Sequence, residues 1–208
     1  PPNPDAQESR GLGDVYKRQG IYLGKDSDIL SLANSSYGSS NSEIEKVWNS
    51  FYLLVHASNI VIEKVPNIEM DSARKVVILS EAKFFRGLAY MELQRLFNQV
   101  PLMLETTFSA SEIELLPQSS KEKLQEQIVA DFKSAVTSLP LTSDSGRPNH
   151  YSAVALLARF YFLNEDYFEA KTWAMMVINS TKYSLVTDVN ALFQNLNNEN
   201  SHLEHQFN

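Results

Sequence analysis

Residues 80–104 read SEAKFFRGLAYMELQRLFNQVPLML and predict the end of a long helix, followed by a sharp corner. Apolar residues recur in two lines at three- and four-residue spacing, as on a helix packed on two sides. One line is Ile78, Ala82, Phe85, Ala89, Leu93 and Leu96, and the other is Val77, Phe84, Leu88 and Met91. We expect this helix to open at Asp71 or Ser72. It should end at Asn98, because Asn tolerates the left-handed conformation of a helix cap.

The charged residues of this helix are spaced for ion pairs along and between helices. They are Glu81, Lys83, Arg86, Glu92 and Arg95. A carboxylate pair for acid–base catalysis is an open alternative, but we interpret the set as a charged helix flank. Beyond the corner, Val100 should be extended because Pro101 follows it.

The composition is that of an acidic globular protein. The chain has 208 residues, of which 43% are hydrophobic, and a formal net charge of -7. Without a cluster of Lys and Arg, nucleic acid is not an expected partner. Because the sequence has no Cys, disulfides, Cys-based zinc sites and thiol nucleophiles are excluded.

The N-terminal part of the sequence lacks apolar periodicity. Residues 1–19 are predicted to be a leader that is either disordered or not native, since residues 11–19, GLGDVYKRQ, resemble translated adapter sequence. Residues 20–208 are then one incomplete helical domain. Its first part, up to residue 42, is rich in Ser, Asn and Gly and is interpreted as a surface loop. Tyr22 and Tyr37 on this loop are our candidate ligand-binding residues, with ordinary exposed tyrosines as the alternative.

Two further helices are predicted between residues 42 and 140. Ser42 is the expected cap of the first, with Asn59 and His56 on or beside its apolar face as hydrogen-bonded core groups or, less simply, as a metal or catalytic site. The second is expected to begin with a capping box formed by Ser119 and Glu122.

Residues 152–163 and 167–180 are predicted to form a helix pair that resembles a tetratricopeptide unit. Small residues at Ala170 and Ala174 would let the second helix nest against the first. The groove between them would be filled by three aromatic residues, Tyr161, Tyr167 and Trp173. The predicted fold class is therefore all-α, with antiparallel helix pairs stacked as a tetratricopeptide-like α–α superhelix and irregular loops.

Sequence motifs for catalysis are missing. There is no Gly-rich phosphate loop, G-x-S-x-G elbow or H-E-x-x-H motif, so neither an enzyme nor a cofactor is predicted. His202 and His205 have a spacing compatible with metal binding on a helix, although Glu204 is their only acidic neighbour. From the residues alone we interpret the protein as an α-helical scaffold that binds a partner.

The order of several segments resembles the SusD/RagB family of outer-membrane nutrient-binding lipoproteins. The first helix shows Trp48-x-x-x-Tyr52 followed by Ala57-Ser58-Asn59. The long helix shows Glu81-Ala82-Lys83-Phe84-Phe85-Arg86-Gly87, Tyr90, Leu93, Arg95-Leu96-Phe97 and Val100-Pro101-Leu102. Later segments show Ile128-x-x-Asp131-Phe132-x-x-Ala135, Leu139-Pro140, Gly146-Arg147, Ala155-x-x-Ala158-Arg159 and Lys182-Tyr183-Ser184-Leu185.

This resemblance implies a non-enzymatic component of oligosaccharide uptake at the bacterial cell surface. It implies a helical scaffold on the outer membrane of Bacteroidota, with a SusC-like TonB-dependent transporter as its partner. The lipid-anchored Cys of the family is absent, which is consistent with a fragment truncated at both ends. No ligand-binding residue of the family transfers onto a matching motif.

Two other functions stay open at this point. The first is a tetratricopeptide-type adaptor for protein–protein interactions, which would hold a peptide in a concave polar groove lined by Asn and Lys. The second is an all-helical glycan-processing enzyme, which would need two carboxylates facing one cleft.

Overall fold

A computed structural model describes residues 26–106, 116–144 and 146–185, and these residues form helices and connecting segments without any β-strand. The predicted all-α fold class is confirmed. The elements in chain order are α1 (Ser27–Ala33), α2 (Ser42–Lys64), a 3₁₀ helix (Val65–Asn67), α3 (Ser72–Phe97), α4 (Lys121–Ser138), α5 (His150–Leu163) and α6 (Tyr167–Asn179).

The described residues divide into two compact units between residues 50 and 51, and this boundary falls within α2. In the first unit, the prediction of a loop up to residue 42 is wrong where α1 forms. The carboxylate of Asp26 accepts hydrogen bonds from the backbone N–H groups of Asp28 and Ile29. This cap satisfies amides that would otherwise lack a partner at a helix start.

The predicted cap of α2 is also wrong, by one residue. The side-chain oxygen of Asn41 accepts from the N–H groups of Glu43 and Ile44, at 3.0 and 3.1 Å. Ser42 instead binds the carboxylate of Asp28 through its backbone N–H at 2.9 Å and through its hydroxyl.

In the second unit, helices that follow one another in the chain are packed side by side: α3 on α4, α4 on α5, and α5 on α6. The core lies mainly between α3, α4 and α5. Its largest fully buried side chains in these helices are Phe84, Tyr90, Leu93, Leu124, Ile128, Phe132, Val154 and Leu157. Burial of a side chain of this size contributes about 1.5–3 kcal/mol.

Both predicted ends of α3 are observed. The carboxylate of Asp71 accepts from Arg74 N at 2.8 Å. At the other end, Asn98 has φ 66° and its N–H donates to the carbonyl of Gln94 at 2.8 Å. Its ψ of -93° lies outside the left-handed helical region, so only the positive φ matches the expected cap.

The start of α4 differs from the predicted capping box because Ser119 has another role. Ser120 is the cap, and its hydroxyl accepts from Lys123 N at 3.3 Å. Helix α5 begins at His150, two residues before its predicted start, because Asn149 and Ser152 form a capping box there.

The pair α5–α6 forms as predicted around a three-residue turn, but one of its aromatics is misplaced. Ala170 is buried, and Trp173 is half-buried with its indole N–H donating to Glu169. Tyr161 is half-buried. Tyr167 is 61% exposed, because the first residue of α6 points away from the groove that it was expected to fill.

Candidate functional site

The sequence-predicted site residues do not come together in the described part of the chain. Tyr37 lies between α1 and α2 and is 54% exposed. Tyr22, His202 and His205 lie outside the described residues. His56 is exposed, which corrects its expected place in the core. Within residues 26–106, 116–144 and 146–185, no three acidic or His side chains are grouped so that they could hold a metal ion.

The most structured polar site is the corner after α3, where residues 100–105 run between helices. Along an extended chain, the N–H and C=O groups of alternate residues point to opposite sides. On one side, Ser119 N donates to the carbonyl of Val100 at 3.1 Å, and the hydroxyl of Ser119 accepts from Leu102 N at 3.2 Å. Ser119 therefore binds this segment instead of capping α4.

On the other side of this segment, tyrosine hydroxyls bind the backbone. The hydroxyl of Tyr90 donates to the carbonyl of Met103 at 2.8 Å and accepts from the N–H of the same residue at 2.6 Å. In an antiparallel β-sheet, a residue of the neighbouring strand forms the same two hydrogen bonds, one to the C=O and one to the N–H of the residue opposite. The hydroxyl of Tyr52 donates to the carbonyl of Pro101 at 2.8 Å, and Pro101 has no N–H that needs an acceptor.

Asn59 connects this segment to a buried ion pair. Its side-chain amide donates to the carbonyls of Met103 and Glu105, at 3.0 and 3.4 Å. Its side-chain oxygen accepts from the guanidinium of Arg86 at 3.0 Å. Asn59 is only 2% exposed, which confirms the expectation of a hydrogen-bonded core group.

The ion pair itself joins α3 to α4. Two nitrogens of Arg86 donate to the two carboxylate oxygens of Asp131, both at 2.8 Å, and Gln127 donates to the same carboxylate at 3.0 Å. Arg86 and Asp131 are 7% and 2% exposed. Charges taken out of water need such partners, because an isolated buried charge is strongly unfavourable. The expected ion pair between helices is confirmed for Arg86, but its place on a charged flank is wrong, because the pair is buried.

Gly87 permits this close approach of α3 and α4. A Cβ atom at this position would lie 3.3 Å from the Cβ of Asp131 and 3.3 Å from the ring of Phe132. These distances are shorter than ordinary van der Waals contact. The small residue after Arg86 thus lets the guanidinium reach across to α4.

The sequence contains a signal for this network. Arg86 lies four residues after Ala82 and four before Tyr90, which places it on the buried face of α3. Asp131 lies between Ile128 and Ala135 on the apolar line of α4. A single charge within each of two apolar lines indicates a buried pair, whereas the spacing of all the charges suggested a flank.

The polar side chains at the corner have a structural role. Both oxygens of Asp131 are engaged, so the carboxylate is poorly placed to act as an acid or base. Burial raises the pKa of the Tyr90 and Tyr52 hydroxyls above the usual range, so both stay protonated and able to donate at neutral pH. We conclude that the network fixes the path of residues 100–105.

An open groove offers a different surface between α4 and the α5–α6 turn. Its volume is about 430 Å³, and its lining residues are Glu122, Gln125, Glu126, Val129, Phe160, Tyr161, Asn164 and Asp166. Burial, reinforced by the negative charges of Glu169 and Asp166, raises the pKa of Tyr161. The carboxylates and amides can accept hydrogen bonds from hydroxyl or ammonium groups.

The fold and the buried corner define an all-helical scaffold protein, and comparisons with known proteins name its family. A SusD-like family model, described as "Starch-binding associating with outer membrane", matches residues 13–162. The match covers more than half of the chain. The chain therefore belongs to the SusD-like family.

Individual relatives agree with this assignment. SusD-like protein P38 of Formosa agariphila is 27% identical over 161 residues, covering 77% of this chain and 31% of that protein. A structure described as a laminarin binding SusD-like protein is 26% identical with a TM-score of 0.76, covering 84% of this chain and 40% of that one. A crystal structure with xylogluco-oligosaccharide is 25% identical with a TM-score of 0.69, covering 81% and 36% of the two chains.

This chain spans less than half the length of each of these relatives. Within its described residues, no helix is both long and apolar enough to cross a membrane.

Proposed function

We propose that this chain is part of a non-enzymatic glycan-binding protein of the outer membrane that works with a SusC-like TonB-dependent transporter. The observation that supports this function is the family match along residues 13–162, which includes the whole buried corner. Two relatives support the ligand class, since one is described as laminarin binding and the other was crystallised with xylogluco-oligosaccharide.

In this proposal the corner is scaffold and exposed groups contact the sugar. The hydroxyls and amides of the corner already bind the backbone, so they have little capacity left for a ligand. Tyr37 is more than half exposed and presents an aromatic ring on which a sugar ring can stack. Tyr22, on the same predicted loop, is the second candidate.

Calorimetric titration with laminarin- and xyloglucan-derived oligosaccharides tests the ligand class. We expect saturable binding, and a loss of about tenfold, or ~1.4 kcal/mol, in the variant Tyr37→Ala. Tyr167→Ala is the matched control, since Tyr167 is a tyrosine of similar exposure on α6. Equal loss in both variants would contradict the role of Tyr37, and no heat with any glycan would contradict the ligand class.

The partner and the absence of catalysis need separate measurements. Affinity capture from detergent-solubilised outer membranes is expected to recover a TonB-dependent transporter, whereas capture from the cytosolic fraction is not. Chromatography of oligosaccharides after long incubation with the protein should show no shortened products. Hydrolysis that is lost on changing one acidic residue would overturn the non-enzymatic assignment.

A tetratricopeptide-type adaptor is the second candidate, and the groove between α4 and the α5–α6 turn favours it. This groove differs from the expected one lined by Asn and Lys. Three of its lining residues are carboxylates, Glu122, Glu126 and Asp166, so its chemistry suits a basic peptide. Under this alternative, a Lys-rich peptide would bind where glycans do not, and Glu126→Gln would weaken that binding. A Lys-rich peptide that does not bind, or that binds Glu126→Gln as tightly as the parent chain, would contradict the adaptor.

A further inference from the structure

Residues 34–40, which we call the Tyr37 loop, connect the end of α1 to the start of α2. All residues of this loop are exposed, and Tyr37 itself is 54% exposed. Asn41, the residue that follows the loop, is only 4% exposed. Because burying an amide is unfavourable unless it is hydrogen-bonded, the partners of Asn41 show what this residue does.

The first end of the Tyr37 loop is fixed where α1 ends. Ser35 has a φ of 56°, and its N–H donates to the carbonyl of Leu32 at 3.1 Å. The N–H of Ser36 donates to the carbonyl of Ser31 at 2.8 Å. The positive φ and these two bonds are those of a Schellman motif, which ends a helix in a defined geometry. The backbone is therefore held up to the residue before Tyr37.

The second end of the loop is fixed by Asn41. Its backbone N–H donates to the carbonyl of Gly38, the residue after Tyr37, at 3.2 Å. Its side-chain amide donates to the carbonyl of Asp28 and to the hydroxyl of Ser31, both at 2.9 Å. Its side-chain oxygen is the cap of α2. Ser31 thus contacts both ends of the loop, and the side chain of Asn41 holds them against α1.

We propose that Asn41 is a positioning residue for glycan binding, because its side chain keeps the Tyr37 loop closed and so presents the ring of Tyr37 in one fixed place. This inference rests on the proposed role of Tyr37 in binding a sugar ring. Tyr37 lies between two residues whose backbone is hydrogen-bonded, Ser36 and Gly38. A group that is already held in its binding conformation loses less conformational entropy when the ligand binds, which raises the affinity.

The variant Asn41→Asp separates the two roles of this side chain. A carboxylate still caps α2, since Asp is as good a cap as Asn, but it cannot donate to α1. We expect titration of the 208-residue chain with laminarin- and xyloglucan-derived oligosaccharides to show a loss of affinity of about three- to tenfold. Asn149→Asp is the matched control, because it makes the same change at the cap of α5 and removes a donor to Tyr183. Its affinity should stay within about twofold of the parent chain.

A second background shows whether the effect of Asn41→Asp depends on the ring of Tyr37. In a Tyr37→Ala background we expect Asn41→Asp to change the affinity by less than about twofold, because the loop then presents no ring. An equal loss in both backgrounds would mean that Asn41 acts on the fold or on the ligand directly, and this result would overturn the positioning role.

Ser31→Ala is a milder variant of the same loop. It removes the hydroxyl that binds Asn41, leaves the cap of α2 intact and favours the helical state of α1. It replaces Asn41→Asp as the test if that variant does not fold, and it should weaken glycan binding by about twofold or more.

The outcomes distinguish the positioning role from the proposed function. Glycan binding by the parent chain with unchanged affinity in the folded variant would overturn the positioning role alone. A parent chain that binds no glycan would contradict the proposed function and the positioning role together. Weaker binding that requires Tyr37 supports both.

Discussion

Helices α3 and α6 are both rich in large apolar residues, but their burial differs sharply. Nine residues of α3 are buried, including Arg86, whereas only Ala170 of α6 is buried. Helix α3 packs on α4, α5 and the 3₁₀ helix, while the described contacts of α6 are with α5. The position of a helix in the array, rather than its apolar content, therefore decides what its side chains contribute to stability.

The same substitution in the two regions should change stability by very different amounts. Phe132 on α4 faces α3 with no exposed surface, and Phe168 on α6 is 79% exposed. We expect Phe132→Ala to lower the free energy of unfolding by about 3–5 kcal/mol, because it leaves a cavity. Phe168→Ala should change it by less than about 0.5 kcal/mol. Urea unfolding of the 208-residue chain measures both, and similar values would contradict the comparison.

Two ion pairs, one buried and one exposed, should also differ in how much they contribute to stability. Asp131→Asn leaves Arg86 as a buried charge without its partner, and we expect a loss of about 3–5 kcal/mol. Arg147 binds Glu81 through two nitrogens with the Arg side chain 51% exposed. We expect Arg147→Ala to cost less than about 1 kcal/mol, because water screens the pair. Equal losses in the two variants would mean that burial does not govern these pairs.

Removing the hydroxyl of Tyr90 should lower the free energy of unfolding by a smaller amount. Tyr90→Phe removes the acceptor for Met103 N and should cost about 1–3 kcal/mol, since a buried donor is left unsatisfied. Amide hydrogen exchange gives an independent readout, because Met103 N–H should lose protection while amides in the middle of α3 keep theirs. Unchanged exchange at Met103 would show that the bond to Tyr90 does not protect it.

The contribution of Tyr90 to the free energy of unfolding should decrease as the pH rises above about 10. Burial raises the pKa of Tyr90 in the folded state above the value of about 10 in the unfolded chain. Its contribution is therefore complete below about pH 10 and is lost as the pH rises towards the folded pKa, with a slope of up to about 1.4 kcal/mol per pH unit. Urea unfolding between pH 8 and 11 should show a shallower decline for Tyr90→Phe than for the parent chain. Identical slopes would refute the assignment to Tyr90.

The smallest effect concerns the cap of α3. Asn98 has a φ of 66°, where a β-branched side chain is strained and glycine is not. We expect Asn98→Val to lower stability by about 1–2 kcal/mol and Asn98→Gly to change it by about 0.5 kcal/mol or less. Thermal unfolding compares the two variants, and an unchanged melting temperature in Asn98→Val would contradict the assigned corner.

Much of the fold could be predicted from the sequence because helix periodicity and caps are local. The start and end of α3 at Asp71 and Asn98 follow from residue types, and so does the pairing of α5 with α6. The errors at Ser42 and Ser119 have one cause. Several neighbouring polar residues can cap a helix, and tertiary partners choose among them: Asp28 engages Ser42, and the segment at Leu102 engages Ser119.

The candidate site was less predictable than the fold. Tyr37 is exposed as expected, and its role in binding stays a prediction. Spacing places Arg86 and Asp131 on apolar faces of their helices, but it does not show that they bind each other and Asn59, because these partners are 27 and 45 residues apart in sequence. Packing of α3 against α4 brings Arg86 to Asp131, and Asn59 reaches Arg86 from α2.

By itself, the sequence determined the helical class, the corner after α3 and the family, because periodicity, proline and motif order are properties of neighbouring residues. Only the tertiary structure decided which polar groups are buried and which apolar groups are exposed. Burial depends on what packs against a helix, as the buried Arg86 on α3 and the exposed Phe168 on α6 demonstrate.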